Sequence, residues 1–183
     1  MPPLEALAAA FGLANSLLLA RRSVWNFPFG LVMVSLYAVV FLEARLFSAV
    51  LLQGFFIATQ VWGWREWQQV AGRDDKVPVS GLSSRARLGA AAATLALALL
   101  LGLITSHFTT AAAPFLDAGN TSLSITAQLL TMARRVEAWP LWVVVNAVSV
   151  ALYASQGLWI TTALYCVFLV LALWIWQLWR RAA

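Results

Sequence analysis

The chain has 183 residues, of which 62% are hydrophobic and only 10% charged, with a net charge of +5; soluble globular chains carry about 25% charged residues. That composition excludes a water-soluble fold, because too few polar side chains are present to cover a surface. Apolar runs of roughly 16 to 23 residues can cross a hydrocarbon layer of about 30 Å at about 1.5 Å per residue, so the sequence predicts an all-α integral membrane protein.

Seven spans are predicted, at 5–20, 26–42, 46–64, 88–106, 118–133, 139–155 and 158–179. The first begins Met-Pro-Pro-Leu-Glu, without a basic region, and Arg21-Arg22 follows its apolar run, so it reads as a retained helix rather than a signal peptide. Residues 1–67 form a first three-helix bundle. Residues 68–87 hold Arg73-Asp74-Asp75-Lys76, Pro78, Gly81 and Ser83-Ser84, turn and linker residues without apolar period, and read as a cytoplasmic linker. Span 88–106 is small and aliphatic, with no aromatic or amide side chain, and reads as a structural linker helix; residues 107–183 form a second three-helix bundle. Seven spans put the termini on opposite sides, and one face then collects eleven of the twelve basic residues, leaving Arg45 on the other. The positive-inside rule makes that basic face cytoplasmic, with the C-terminus inside and the N-terminus outside.

The bundles read as a repeat. Arg21-Arg22, Pro28, Leu36-Tyr37-Ala38 and Trp64 to Trp67 match Arg134-Arg135, Pro140, Leu152-Tyr153-Ala154 and Trp176 to Trp179. The offset is 113 at the arginines, 112 at the prolines and tryptophans and 116 at the tyrosines, so a four-residue shift is expected inside the repeat. Three spans, one span and three spans give two parallel halves about an axis along the membrane normal, as in transporters whose binding site lies between halves.

Within the spans, positions i, i+4, i+7 and i+11 share a stripe. Span 6 places Trp142, Asn146, Ser149 and Tyr153 on one; span 2 places Asn26, Gly30, Met33 and Tyr37 at the equivalent level; span 5 gives Thr121, Ser124, Gln128 and Thr131; span 3 gives Gln53, Gln60, Trp64 and Trp67 along one side, and span 7 gives Tyr165, Trp176 and Trp179 on another. Small hydroxyl side chains there serve helix packing, whereas buried Asn and Gln are costly to leave unpaired, which favours ligand contact for Gln128 and Asn146. The ten tryptophans have two readings. Those ending helices beside arginine suit an interfacial belt, and Trp176 and Trp179, three apart on one face, could offer two ring faces to a planar cation.

No span holds an acid or base well inside its apolar stretch, since Glu5, Glu43, Asp117 and Glu137 fall at ends or loops, so proton coupling is not expected. Phosphate-binding loops, zinc-hydrolase motifs, serine-nucleophile elbows and carboxylate pairs are missing, and the protein is not read as an enzyme. Cys166 alone forms no thiolate cluster and His107 alone no metal site, so no cofactor or metal is implied.

Trp25-Asn26-Phe27-Pro28-Phe29-Gly30 leading to Tyr37, Trp62-Gly63-Trp64-Arg65-Glu66-Trp67, Ala127-Gln128, Arg134-Arg135-Val136-Glu137-Ala138-Trp139, Asn146, Leu152-Tyr153 and Trp176-Gln177-Leu178-Trp179 together resemble the Pnu family of bacterial vitamin transporters. The resemblance runs from about residue 12 to 181. It implies a SWEET-like seven-helix fold in the bacterial inner membrane and facilitated diffusion of an unphosphorylated vitamin precursor, trapped inside by a separate kinase. Nicotinamide riboside is the foremost candidate, with thiamine or riboflavin as alternatives; a non-transporting membrane subunit is the reading of another class. The resemblance further implies that Trp176, Trp179, Gln128 and Asn146 line the site, with Tyr153, Trp142, Gln60, Trp64 and Tyr37 added from the stripes. The expected partners are the vitamin precursor and the lipid bilayer, with no nucleic acid and with self-association left open.

Overall fold

The computed structural model describes residues 2–43, 47–72, 76–108, 114–155 and 157–183. Arg45, the single base expected on the less basic face, and Arg73 to Asp75 of the linker lie outside the described residues. The described residues form seven helices: α1 (Pro2–Ala20), α2 (Asn26–Glu43), α3 (Phe47–Val70), α4 (Ser84–Phe108), α5 (Pro114–Met132), α6 (Ala138–Ser155) and α7 (Trp159–Ala182). Five, namely α1, α2, α4, α6 and α7, are apolar and long enough to cross a membrane by themselves. The other two, α3 and α5, carry the polar side chains Gln53, Gln60, Ser124 and Gln128, and bury them against neighbouring helices.

Helix α5 begins and ends 112 residues after α1, and α6 after α2 and α7 after α3 keep the same 112 at both ends. The repeat therefore has one constant register, and the four-residue shift suggested by the tyrosines does not exist. The backbone counterpart of Tyr153 is Phe41, and that of Tyr37 is Ser149. Aromatic identity misled because the two tyrosines are neighbours in space and not equivalents: Phe41 stacks on Tyr37 at 5.3 Å and on Tyr153 at 5.6 Å.

The register extends to the turns. After α1, Arg22 N–H bonds Leu19 O at 3.0 Å and Ser23 N–H bonds Leu18 O at 3.0 Å; after α5, Arg134 N–H bonds Thr131 O at 3.0 Å and Arg135 N–H bonds Leu130 O at 2.8 Å. Both are Schellman closures, with Arg22 and Arg134 at φ 58° in the left-handed region where glycine usually sits.

The halves are laced together, with α1 packed on α7 and α3 on α5. The indole N–H of Trp67 on α3 donates to Met132 O at the end of α5 (2.8 Å), and that of Trp179 on α7 donates to Leu19 O at the end of α1 (3.1 Å). The segment 76–80 crosses between these corners as a strap. Val77 N–H bonds Arg22 O, Ser80 N–H bonds Arg134 O and Val136 N–H bonds Ser80 O, each at 3.1 Å. Val77 and Val79 are buried with Trp67, Trp139, Ile175 and Trp179 in one apolar cluster. The stretch read as a featureless linker thus packs into the core at the arginine-rich end, because its alternating valines face inward while Pro78 and Ser80 face out. A second cluster of Ala8, Tyr37, Val40, Phe41, Tyr153 and Leu164 lies at the opposite end.

Candidate functional site

Between the two clusters, and between the halves, lies a cavity of about 140 Å³, room for on the order of ten waters. Its wall carries six amide side chains, Asn15, Asn26, Gln53, Gln60, Gln128 and Asn146, together with Phe27, Phe56, Trp139, Trp142 and Phe168, and it ends at Tyr37 and Tyr165. The six amides are at most 8% exposed. Among the described residues, no carboxylate, histidine, lysine or arginine side chain lines it.

Local hydrogen bonds set part of this wall. Asn26 caps the turn before α2 by donating to Ser23 O at 2.7 Å, and its own carbonyl accepts from Asn15 Nδ2 at 3.0 Å, which ties α1 to α2. Gln128 donates to Thr59 Oγ1 at 3.3 Å, bridging α5 to α3. Trp142 Nε1 donates to Thr131 Oγ1 at 2.9 Å, which holds the indole flat against the wall beside Phe56 at 6.3 Å. Gln53, Gln60 and Asn146 find no hydrogen-bond partner among the described residues, although all three are buried. Their polar atoms are not sealed in the core but open on the cavity. Three such amides on one cavity wall make a surface that a polar solute can satisfy.

The wall is symmetric in backbone and asymmetric in chemistry. At the constant offset, Phe27 faces Trp139, Ser16 faces Gln128, Val34 faces Asn146, Gln53 faces Tyr165 and Gln60 faces Ala172. Gly30 occupies the position of Trp142; a Cβ there would run into the amide groups of Gln60 and Asn15, so the first half gives that space to amides and the second to an indole. Such a wall suits a solute with one flat face and one hydrogen-bonding end.

Of the residues singled out in the sequence, Gln128, Asn146, Trp142, Gln60 and Tyr37 come together on this wall. Tyr153, Trp64, Trp176 and Trp179 do not. Tyr153 lies behind Tyr165, with ring centroids 4.9 Å apart, in the cluster at the opposite end. Trp64 and Trp176 pack on the outside of the arginine-end cluster, and Arg180 stands over the Trp176 ring at 6.0 Å. Trp179 is fully buried, edge-on to Trp139 at 5.2 Å, so in this structure Trp176 and Trp179 do not form a clasp around the cavity. The spacing of three was read correctly as one helix face, but the crossing of α7 over α1 turns that face into the protein instead of toward the cavity. Sequence reading had placed Asn26, Gln53 and Tyr165 on stripes without selecting them as site residues, and it missed Asn15, Phe56 and Trp139. Asn15, an amide in the middle of an apolar span, was the signal that pointed to α1.

The family described as Nicotinamide mononucleotide transporter matches residues 2–181. The chain is 28% identical over 205 aligned residues to the nicotinamide riboside transporter PnuC of Escherichia coli (strain K12), covering 98% of this chain and 86% of that one. It is 29% identical over 157 residues to the nicotinamide riboside transporter PnuC of Neisseria mucosa, covering 82% of this chain and 59% of the relative. A crystal structure of the vitamin B3 transporter PnuC superposes with a TM-score of 0.86 at 26% identity, over 98% of this chain and 83% of that chain.

Proposed function

Because the chain belongs to the nicotinamide mononucleotide transporter family, a family of multi-pass membrane transporters, we propose that it carries nicotinamide riboside by facilitated diffusion across the bacterial inner membrane through the central cavity. The relatives named for the riboside support this substrate, and the composition of the wall carries the choice between riboside and mononucleotide. A phosphate dianion in a water-poor cavity needs arginine, lysine or a row of backbone N–H groups. Among the described residues, the wall offers six amides and no cation. The riboside brings hydroxyls and a carboxamide for Gln53, Gln60 and Asn146, and a flat ring with a fixed positive charge for Trp142, Trp139 and Phe56.

Phosphorylation by a separate kinase would retain the solute, since its phosphorylated form has no counter-charge on this wall. The arginine end, with the strap and both Arg-Arg turns, is the cytoplasmic one by the positive-inside rule. Thiamine is the alternative, because it shares a cationic flat ring. The test is uptake into proteoliposomes of labelled nicotinamide riboside, nicotinamide mononucleotide, thiamine and riboflavin. The expected outcome is equilibration of the riboside and exclusion of the mononucleotide; comparable rates for these two would overturn the reading.

A further inference from the structure

Beyond the cavity, toward the end opposite the arginines, one acid stands apart. Glu5 lies in the first turn of α1, yet it is only 7% exposed. Its Oε2 accepts from the Thr161 hydroxyl at 3.4 Å, and Thr161 is fully buried. The Arg87–Glu137 pair is the single ion pair among the described residues, so Glu5 has no cationic partner among them. A carboxylate held out of water without a counter-charge is unfavourable, and a cation that comes beside it offsets that cost.

Its position gives the visitor a route. Thr161, Tyr165 and Phe168 share one stripe of α7 at i, i+4 and i+7; the last two line the cavity and the first holds Glu5. Glu5 therefore continues the cavity wall about 6 Å beyond Tyr165, at about 1.5 Å per residue. On the facing helix α2, Tyr37 ends the cavity with a hydroxyl that is buried and has no hydrogen-bond partner. The repeat counterpart of Glu5 at the constant offset is Asp117, whose side chain is exposed at the start of α5. Only the first half packs its acid against a buried hydroxyl of the last helix of the other half.

We propose that Glu5, with the Tyr37 hydroxyl, recognises the positive charge of the solute at the mouth opposite the arginine end and passes the cationic ring between Tyr37 and Tyr165 into the cavity. This rests on the nicotinamide riboside reading. It makes Glu5 a specificity-determining residue: it favours the charged pyridinium form over a neutral solute of the same shape.

The experiment compares uptake of nicotinamide riboside with its reduced, uncharged dihydro form in proteoliposomes containing wild-type protein, Glu5→Gln and, as a control, Asp117→Asn. Glutamine keeps the shape and can still accept from Thr161. Glu5→Gln is expected to slow the cation by about tenfold or more at subsaturating concentration, from the lost charge attraction, and to leave the dihydro form unchanged; Asp117→Asn leaves both unchanged. A Glu5→Gln protein that slows both solutes alike, or neither, overturns the inference while leaving the substrate reading intact. Wild-type protein that carries neither solute overturns both. Should Glu5→Gln fail to yield folded protein, Glu5→Cys in a Cys166→Ala background supplies the same test. Modification with an anionic sulfonatoethyl thiosulfonate should restore preference for the cation, and equal effects of an anionic and a cationic reagent would overturn the inference.

Discussion

Ten tryptophans do three different jobs, and the constant repeat register sorts them. Trp62 and Trp174, 112 apart, are 56% and 44% exposed and, with Trp25 and Trp159, suit the bilayer interface. Trp67 and Trp179 are fully buried, and their N–H groups close the carbonyls that end α5 and α1. Trp142 belongs to the cavity. Replacing Trp67 by Phe keeps most of the packing but orphans Met132 O, so melting of the purified protein should report a loss of about 1 to 3 kcal/mol. Trp159→Phe should leave it unchanged. Asn146→Leu, by contrast, removes a polar contact offered to the solute and relieves an unpaired amide. Calorimetry should show nicotinamide riboside binding weakened by about tenfold or more, at equal or higher thermal stability. Unchanged affinity would remove Asn146 from the site. The pair Gly63 and Ile175 shows the same asymmetry at smaller scale: a Cβ on Gly63 would stand 2.8 Å from Phe27, whereas its counterpart Ile175 fills the cavity floor.

Each element is shaped by where its polar groups go. Helices α3 and α5 fall short of crossing a membrane by hydropathy alone, because their polar residues turn toward one another and the cavity instead of lipid; Gln128 to Thr59 is one such link. The two Schellman turns place arginine where φ is 58°, a conformation costing an L-residue about 1 to 2 kcal/mol. Arg134→Gly should therefore hold or raise the melting temperature, and Arg134→Val, with a branched Cβ at positive φ, should lower it. Equal melting of the two would argue that the left-handed turn is not retained in solution. The strap that ties Arg22 O and Arg134 O depends on Val77 and Val79 as its inward anchors. Val77→Asp would place a carboxylate among Trp67, Trp139 and Trp179. Hydrogen exchange at residues 76–80 should then rise sharply while exchange within α6 stays slow; uniform loss of protection would mean that the strap is part of the global fold.

At the scale of the whole molecule, two structurally matched halves with unlike walls are a sound basis for alternating access, since rocking one half against the other need not change the solute's contacts within each half. The basic turns, strap and C-terminus share one end. In a Cys166→Ala background, a cysteine replacing the exposed Ser80 should resist an impermeant maleimide added outside intact cells; labelling would reverse the proposed orientation. Substrate should equilibrate across proteoliposomes and stop, with no accumulation for a protonophore to collapse, because among the described residues no carboxylate, histidine, lysine or arginine lines the cavity and Glu5, beyond it, is proposed to meet the solute's own charge in place of a proton.

Much of this was legible in the sequence because it is local. Hydropathy over about twenty residues finds helices, and a period of 3.6 puts Trp142 and Asn146 on one face without knowing what that face meets. Composition alone excluded a soluble fold. Three things needed the tertiary structure. The repeat register was blurred because sequence comparison matches side chains, and Tyr37 and Tyr153 are alike without being equivalent; the prolines and tryptophans gave 112, and only backbone positions show that it holds throughout. The destination of Trp176 and Trp179 was set by how α7 crosses α1, a contact between residues some 160 apart, which no local pattern encodes. Glu5 looked like an exposed end residue by its place in the chain, and it is dry because α7 lays Thr161 over it. Helical periodicity says which residues share a face; long-range packing alone decides whether that face meets lipid, core or solute.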